Sequence, residues 1–436
     1  MNFSSGPPGP TRSAMRRKNL TVVHDIALTP TGRRSEKRVS KRDGILATAA
    51  TLFNEHGVAG VSLGDVAKAH GVGRASLYHY VADREDLVFQ CFQRSCEAET
   101  ERLDQAAEAR NALDRIMQYV VLSFAPEAAQ HAVIADLGFL SPEARAIVQK
   151  ARLRNTERLA AMIGDGIEAG AIRPCDEQIL ARVLPAMVSF SLIARRWSDP
   201  KLGPVDPEAV ADFIAFGSAA DPGVAFECPL DAESFNRLEA ATFDRKSLNE
   251  MRIEQIVMTG SRLFNERGYD AVSLEDVAAA LGATRGAFYH YLDDKEELLR
   301  RCYERGNALY EAFIDAAETH GRNGFEKTAI VSHLNSQAQA GTLQPLAAWM
   351  GLDALSPSQR QKHRQKLRAL LARNERLAEE GVADGSRRPL DAHSISVARA
   401  GAYMWIPKWK SEVEPVAPRR LADEIVALFS KGLARR

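Results

Sequence analysis

Phe53–Leu87 reads FNEHGVAGVSLGDVAKAHGVGRASLYHYVADREDL, and the pattern returns at Phe264–Leu298 as FNERGYDAVSLEDVAAALGATRGAFYHYLDDKEEL. The offset between the two stretches is constant (264 − 53 = 211 and 298 − 87 = 211), and 19 of the 35 aligned positions are identical without a gap. Chance does not produce such agreement over this length. The chain therefore contains an internal repeat, and its period is far longer than that of a solenoid.

Weaker similarity extends the repeat over the rest of the chain. LSPEAR begins at Leu140 and returns as LSPSQR at Leu355 (355 − 140 = 215), and Arg173 with Pro174 returns at 388 and 389 with the same offset (388 − 173 = 215). A unit of about 200 residues is thus present twice. The predicted division is a basic mobile arm, then a small and a larger helical domain, a linker, and second copies of both domains: 1–40, 41–88, 89–226, 227–248, 249–299 and 300–436.

The composition is that of an ordinary globular protein, with 45% apolar residues and 57 Lys and Arg against 57 Asp and Glu. Zero net charge excludes a uniformly basic nucleic-acid coat, although residues 1–44 hold ten Lys and Arg against three Asp and Glu. We find no apolar run of about 18 residues and no apolar core of a secretory signal. The five cysteines form no CxxC pair, so we expect a reduced, cytoplasmic protein that does not span a membrane.

The repeated segment predicts three short helices followed by a longer one. Apolar residues recur at three- and four-residue spacing in ILATAATLF and IVMTGSRLF, whereas alternating β-branched runs are almost absent. The second helix opens at Ser62 with Asp65 three residues on, and its counterpart opens at Ser273 with Asp276, which is the spacing of a capping box. A glycine then supplies a tight turn in each copy. The fold class predicted is all-α.

A short helix, a glycine turn and a second short helix form a helix-turn-helix, whose second helix lies in the major groove of DNA. This recognition helix is predicted at about residues 74–80 and 285–291, with Asp83 and Asp294 as N-caps of the following long helix. The arginines suit guanine or phosphate, the small residues allow close approach, and the hydroxyl and imidazole groups can reach phosphate. The candidate DNA-contacting residues are Ser62, Arg74, Ala75, Ser76, Tyr78, His79, Arg84, Ser273, Thr284, Arg285, Gly286, Tyr289, His290 and Lys295.

Competing interpretations exist for several of these positions. A histidine beside a tyrosine, such as His79, is more often a structural surface residue than a reader of bases. Leu77 and Phe288 fit the core of the small domain, and Tyr80 and Tyr291 fit aromatic residues that lock its helices together.

Both segments resemble the DNA-binding domain of the TetR/AcrR family of one-component bacterial repressors. The match follows the motif L-F-x-x-x-G, a Ser or Thr cap, G-V-s-x-g-x-L-Y-x-H/Y-F and K-e-x-L along its whole length. Tyr80 and Tyr291 stand where phenylalanine is usual, Arg84 stands where lysine is usual, and Gly73 replaces a small hydroxyl residue. The resemblance implies that 41–88 and 249–299 are DNA-binding domains, and that 89–226 and 300–436 are helical ligand-binding and dimerisation domains.

The resemblance also implies partners. Family members bind a double-stranded DNA operator as homodimers joined through the last two helices of each subunit. Here both subunits lie on one chain, so we expect an intramolecular pseudo-dimer in which helices around 206–217 and 419–432 form a four-helix seam. A homodimer of chains with four DNA-binding domains is the competing arrangement. Because the recognition helices differ at four positions, we expect an imperfect palindromic operator.

A small-molecule effector is the second partner that the resemblance implies. LSPEAR and ARRWSDP resemble members linked to lipid or steroid catabolism, some of which sense acyl-CoA thioesters. Several residues are candidates to line an effector pocket, although most of them fit the apolar core equally well: Phe124, Phe139, Met187, Phe190, Trp197, Trp349, Met404 and Trp405. Arg195 and Arg196 could meet an anionic ligand, but a solvated surface fits them better.

Other functional classes find less support in the sequence. No Walker A loop, GxGxxG after a strand, HExxH or nucleophile elbow is present, so we expect no catalytic residues, no cofactor and no metal. A ligand-released repressor is the expected function. A transcriptional activator and a protein-interaction module with one decayed DNA-binding copy remain alternatives.

Overall fold

The computed structural model describes residues 41–135, 137–197, 203–236, 245–284, 286, 290–347 and 350–436. Within these ranges the chain is helical, and pairing of the β type is confined to two isolated bridges. The predicted all-α fold is confirmed. The predicted arm over 1–40 lies outside the described residues.

Four helices build the first small domain. α1 spans Lys41–His56, α2 spans Leu63–His70, α3 spans Arg74–Leu77, and the long α4 spans Arg84–Ala107. Their apolar faces form one buried cluster, in which Leu77 is fully buried. The recognition helix is therefore shorter than predicted, because residues 78–80 form a turn after α3.

The larger domain of copy 1 consists of α5 (Ala112–Leu122), α6 (Pro142–Glu168), α7 (Glu177–Trp197) and α8 (Pro207–Phe216). The LSP motif starts α6, since Ser141 caps the helix by accepting the Ala144 N–H and a proline in the first turn loses no hydrogen bond. Within α7, the window Glu177–Ala194 is long and apolar enough to cross a membrane. However, 72% of this window is buried inside the protein, as in the core helix of a bundle.

The described part of copy 2 follows the same order, but the counterpart of α7 is divided into two helices. Its helices are α9 (Arg245–Arg267), α10 (Leu274–Ala280), α11 (Lys295–His320), α12 (Gly324–Ala340), α13 (Pro357–Ala383), α14 (Ala392–Met404), α15 (Ile406–Trp409) and α16 (Pro418–Lys431). Where α7 runs on without a break, α14 ends and α15 begins beside Pro407, because proline has no N–H to continue the ladder and clashes with the preceding turn. α9 begins inside the predicted linker 227–248.

The two copies pack against each other through α7, α8, α14 and α16. The Ser218 N–H donates to the Phe429 carbonyl (2.8 Å), and the Leu433 N–H donates to the Ile214 carbonyl (2.9 Å). The two donors are equivalent positions of the two copies, and so are the two acceptors, because 433 − 218 and 429 − 214 both equal 215. Three more pairs of backbone hydrogen bonds keep this offset. Written with the N–H donor first and the carbonyl acceptor second, they are Ala219 to Ser430 with Ala434 to Ala215, Arg388 to Ser218 with Arg173 to Leu433, and Ala220 to Ser386 with Arg435 to Ala171. Such exchange is the signature of a two-fold, isologous contact.

Two glycines allow the backbones to meet in this seam. Gly217 and Gly432 follow α8 and α16 with φ of 64° and 72°, in the left-handed region that favours glycine. A Cβ on Gly217 would lie 2.2 Å from the Ser430 carbonyl oxygen, and a Cβ on Gly432 would lie 2.3 Å from the Ala215 carbonyl oxygen. The seam therefore requires glycine at both positions.

Candidate nucleic-acid interface and regulatory cavity

The predicted capping box of α2 is present in both copies. Ser62 Oγ accepts the Asp65 N–H (3.2 Å), while Asp65 Oδ2 accepts the Ser62 N–H (2.9 Å). These bonds hold the pKa of the Asp65 carboxyl below its usual value. Ser273 and Asp276 form the same box. Each serine is exposed, so its hydroxyl stands at the helix N-terminus where it also faces solvent.

The recognition helix of copy 1 presents a small polar surface. Arg74, Ala75 and Ser76 are exposed on α3, and Tyr78, which is 50% exposed, and His79 extend the surface into the following turn. Only the core-facing side of α3 is buried. The exposed set of predicted contact residues is thus brought together on one face of the domain.

The corresponding surface of copy 2 is described in part. Thr284, Gly286 and His290 are exposed, and the His290 ring lies 5.2 Å from the ring of Tyr291. Arg285 and Tyr289, both predicted contacts, lie outside the described residues, as does Phe288.

Two residues that the sequence predicts to contact phosphate have partners within the protein. The Arg84 guanidinium donates to the carbonyls of Val61 (3.0 Å), Ala59 (3.2 Å) and Val58, and it lies 5.3 Å from the centre of the Phe139 ring. Its charge therefore stabilises the turn before α2. A phosphate would compete with these carbonyls for the guanidinium, and the phosphate contact of Arg84 stays a prediction.

Lys295, the counterpart of Arg84 in copy 2, is also turned inward. Its Nζ lies 4.1 Å from the centre of the Tyr269 ring, a cation–π contact. Burial lowers the pKa of Lys295, opposed by Asp270 and Asp276. The ammonium thus has an aromatic partner beside the turn after α9, and the phosphate contact of Lys295 stays a prediction.

An asparagine ties each small domain to its larger one, a role that the sequence interpretation missed. Asn54 Nδ2 donates to the His131 carbonyl (2.9 Å), and Asn54 Oδ1 accepts the Val133 N–H (2.8 Å). In copy 2, Asn265 Nδ2 donates to the Pro345 carbonyl (3.0 Å), and its Oδ1 accepts the Ala347 N–H. The identity of FNE in both copies was the available signal. We call these two contacts the asparagine clamps.

The larger domain of copy 1 encloses a cavity of about 120 Å³. Charged and polar side chains line it on the copy 1 side, among them Glu99, Arg102, Arg152 and Arg182. Copy 2 completes the wall with Trp405, Trp409 and Glu412. Of the pocket residues predicted from the sequence, Trp405 borders this cavity, whereas Met187, Phe190 and Met404 are buried in the core. The side chains of Arg195, Arg196, Trp197 and Trp349 lie outside the described part of the chain.

The equivalent interior of copy 2 is filled. Tyr310 and Phe313 are the counterparts of the cavity residues Glu99 and Arg102 (310 − 99 and 313 − 102 both equal 211), and both aromatic rings are buried. Phe313 packs edge-to-face on Phe235, with ring centres 5.1 Å apart. Because aromatic rings replace the two charged groups, the two copies have chemically different interiors.

Four of the five cysteines, Cys91, Cys96, Cys228 and Cys302, are buried thiols, and Cys175 is partly buried. Burial raises the pKa of Cys91, Cys96 and Cys302 to about 12, so each stays protonated near neutral pH. Among the described residues, no group of three or more His, Cys, Asp or Glu could hold a metal ion.

Comparison with known proteins agrees with this architecture. The family model described as bacterial regulatory proteins, tetR family, matches residues 45–91 and 256–302. The model described as tetracyclin repressor-like, C-terminal domain, matches residues 106–216 and 327–433. Each of the two family models therefore matches once in each copy.

Individual relatives each match a part of the chain. The Transposon Tn10 TetC protein of Escherichia coli is 27% identical over 111 residues, which is 24% of this chain and 56% of that protein, so this match spans about half of the relative. The HTH-type transcriptional repressor KstR2 of Mycobacterium tuberculosis is 27% identical over 42% of this chain and 96% of its own length. A TetR-family regulator structure from Bordetella parapertussis, 23% identical, covers 42% of this chain and 96% of its own, with a TM-score of 0.36.

The family models account for both small domains and both larger domains, in the order in which the sequence repeats them. A whole relative such as KstR2 fits within two fifths of the chain, as a duplicated subunit requires. The chain therefore belongs to the TetR family of bacterial transcriptional regulators and carries two copies of the family's subunit in tandem.

Proposed function

We propose that this protein is a ligand-responsive repressor that binds an operator as an intramolecular pseudo-dimer. The observation that carries the proposal is the reciprocal hydrogen bonding between the ends of α8 and α16, in which each bond has a counterpart between the equivalent positions of the other copy. A two-fold contact between two DNA-binding subunits is the arrangement that matches a palindromic operator. Tethering the two copies makes their pairing independent of protein concentration.

The seam also contains side-chain contacts, and the arginine contacts among them keep the same symmetry. Arg388 Nε donates to the Gly217 carbonyl (3.0 Å), and Arg173 Nε donates to the Gly432 carbonyl (2.7 Å). Phe213 and Phe429 meet between α8 and α16 with ring centres 5.4 Å apart. These contacts join the two copies of one chain, as the proposed pseudo-dimer requires.

We assign direct DNA contact to the predicted residues of the two helix-turn-helix segments other than Arg84 and Lys295. In copy 1 these are Arg74, Ala75, Ser76, Tyr78 and His79, with Ser62 at the N-terminus of α2. In copy 2 they are Ser273, Thr284, Arg285, Gly286, Tyr289 and His290. Arg84 and Lys295 act as positioning residues that hold the turn before the helix-turn-helix.

A gel shift with the DNA flanking the protein's gene, across a range of salt concentrations, tests DNA binding. Binding to phosphates releases counterions, so affinity should fall steeply as salt rises. Arg74→Ala should weaken binding by about 1–3 kcal/mol. Lys150→Ala, which removes an exposed charge on α6, is the matched control and should leave binding unchanged. Absent or salt-insensitive binding would overturn the repressor proposal.

The operator should be an imperfect palindrome, because the two recognition surfaces differ. Gly73, Ala75 and Ser76 of copy 1 correspond to Thr284, Gly286 and Ala287 of copy 2. The triple variant G73T/A75G/S76A gives copy 1 the surface residues of copy 2 without touching its core. It should shift preference towards a symmetric operator with two copy 2 half-sites, and an unchanged preference would refute the assignment.

The effector site is assigned to the cavity of copy 1. Its mixed polar and aromatic lining suits a small ligand that is held by a few directed contacts. Repression rather than activation is supported by the relative KstR2, whose name describes a transcriptional repressor. A lipid-like or acyl-CoA effector stays a prediction from the sequence, and the cytoplasm is the proposed location.

A further inference from the structure

A segment of copy 2 closes the cavity of copy 1. Residues 405–412, which we call the cap segment, comprise Trp405, the short helix α15 and the 3-10 turn Lys410–Glu412. The segment exists because Pro407 ends the helix that runs uninterrupted in copy 1. Trp405, Trp409 and Glu412 face the cavity.

The cavity wall carries hydrogen-bond donors that have no acceptor. Within the described residues, Arg102 Nε, Arg182 Nε and Trp409 Nε1 are buried and have no hydrogen-bond partner. Arg182 is 7% exposed and Trp409 is 2% exposed, so both side chains are almost entirely removed from bulk solvent. A buried donor without a partner costs about 1–3 kcal/mol. Three such donors on one cavity indicate a ligand that brings acceptors.

Glu412 supplies only a loose counter-charge. Its carboxylate oxygens lie 3.8 Å from Arg182 Nε and 3.8 Å from Arg152 Nη1, beyond hydrogen-bonding distance. The side chain is 30% exposed, so the pair is weakened by solvent. A carboxylate seated inside the cavity could approach the same arginines at hydrogen-bonding distance, and it would then compete with Glu412.

We propose that the cavity of copy 1 binds a small organic carboxylate that displaces Glu412 from Arg152 and Arg182, and that the cap segment passes this change to the DNA-binding domain of copy 2. The inference rests on the proposed function, because it names the ligand class and the regulation of the same cavity. Ligand binding in the larger domain of copy 1 would then regulate the small domain of copy 2.

The opposite face of the cap segment provides the route. α15 packs against α9, the first helix of the second DNA-binding domain. Lys410 interacts electrostatically with Glu266 and Arg262 of α9, and Glu266 and Arg267 share a surface hollow with Lys408, Lys410 and Glu412. A movement of Glu412 therefore acts on the end of α9, close to the turn that leads into the second helix-turn-helix.

A wider groove on copy 2 does not have the same chemistry. This hollow of about 700 Å³ lies between α9 and α11, and several of its arginines already pair with carboxylates. Arg305 contacts Glu254 at 2.5 Å, and Arg301 contacts Glu297 at 2.6 Å. An anion would gain little binding free energy there, because these arginines already have carboxylate partners.

Ligand-observed NMR on the full chain without DNA tests the binding step. The probes are butanoate, 1-butanol as a neutral molecule of similar size, and inorganic phosphate as an anion without an apolar part. Butanoate should bind at least about tenfold more tightly than either control, a difference of about 1.4 kcal/mol. Equal binding of butanoate and 1-butanol, or preferential binding of phosphate, would overturn the ligand class.

Variants locate the site. Arg182→Met should weaken butanoate binding about tenfold, and Arg152→Met, at a more exposed position, provides the same test if the first variant does not fold. Glu412→Gln should strengthen binding several-fold, because the competing carboxylate is gone. Glu414→Gln, an exposed neighbour, is the matched control and should change nothing. Unchanged binding in both arginine variants, or weaker binding in Glu412→Gln, would overturn the proposal.

Hydrogen exchange tests the route between the copies. Butanoate should change the exchange rates of residues 405–412 and of the C-terminal turn of α9 in the wild-type protein. Glu412→Gln should retain binding but lose the response in α9. A response confined to copy 1 would overturn the route. Since neither experiment contains DNA, the inference can fail while operator binding stands, and operator binding can fail while the inference stands.

Discussion

Copy 1 and copy 2 share the pattern of their helix-turn-helix but differ in how that domain is supported. The buried apolar residues of the first DNA-binding domain form a cluster of their own with a few residues of the adjoining loop and α6. Those of the second belong to the large cluster that runs through both larger domains. The first domain is therefore joined to the body by few apolar contacts, whereas the second is part of the main core.

The interiors of the two larger domains differ as well. Copy 1 keeps charged groups around a cavity, and copy 2 fills the equivalent space with aromatic rings. In the proposed function, copy 1 holds the effector cavity, and copy 2 is a packed support that also closes this cavity. The comparison leads to four predictions, which begin with the largest expected effect.

Phe313 and its counterpart Arg102 test the difference between the interiors. Phe313→Ala should lower the free energy of unfolding by about 3–5 kcal/mol, because it opens a void in a packed core. Arg102→Ala should not lower it, because this side chain borders a cavity and its buried Nε has no hydrogen bond to lose. Urea denaturation of both variants measures the difference. Equal losses would mean that the two interiors are equally packed.

The glycines of the seam test its symmetry. Gly217→Ala and Gly432→Ala should destabilise the protein by similar amounts, because left-handed φ costs about 1–2 kcal/mol and the clash with a backbone carbonyl adds about 1–3 kcal/mol. Gly385→Ala is the matched control: its φ is 78°, but no atom lies within 4 Å of the added Cβ. It should show the conformational cost alone. A loss at Gly217 no larger than at Gly385 would contradict the seam.

The asparagine clamps test how firmly each DNA-binding domain is held. Asn265 is 1% exposed, so Asn265→Ala leaves buried backbone groups unpaired and should cost about 1–3 kcal/mol. Asn54 is only partly buried, so water can replace part of its bonding and Asn54→Ala should cost less. Thermal denaturation monitored by circular dichroism gives both values. The reverse order would contradict the stronger attachment of the second domain.

The clamp of copy 1 should also respond to pH. Burial, with Arg94 and Arg102 nearby, lowers the pKa of His131 from 6.5 to about 4. The unfolded chain thus takes up this proton first, so stability that is present above pH 6.5 is lost progressively as the pH falls towards 4. His131→Gln should flatten this dependence in melts between pH 7 and pH 5, whereas His79→Gln, at an exposed position, should not. Parallel curves for wild type and His131→Gln would refute the assignment.

The sequence predicted the elements whose signal is local. The serine caps at Ser62 and Ser273, the aspartate caps of the long helices and the buried Leu77 all follow from spacing within one turn or one helix. The repeat predicted the tandem subunits for the same reason, since identical residues at a constant offset need no knowledge of contacts.

Contacts between distant segments could not be predicted in this way. Arg84 and Lys295 were expected at phosphates because their position on the helix is known, but their actual partners lie on a turn that only the tertiary structure brings near. The cap segment had a visible signal in Pro407, yet its position over the cavity of the other copy depends on the packing of α7 against α14.

The mass of the protein–operator complex tests the pseudo-dimer most directly. Analytical ultracentrifugation at nanomolar protein with a single palindromic operator should show one chain of 47.9 kDa per two half-sites. It should also show free protein that remains at this mass on dilution. Two chains per operator, or free protein at twice 47.9 kDa, would contradict pairing within one chain.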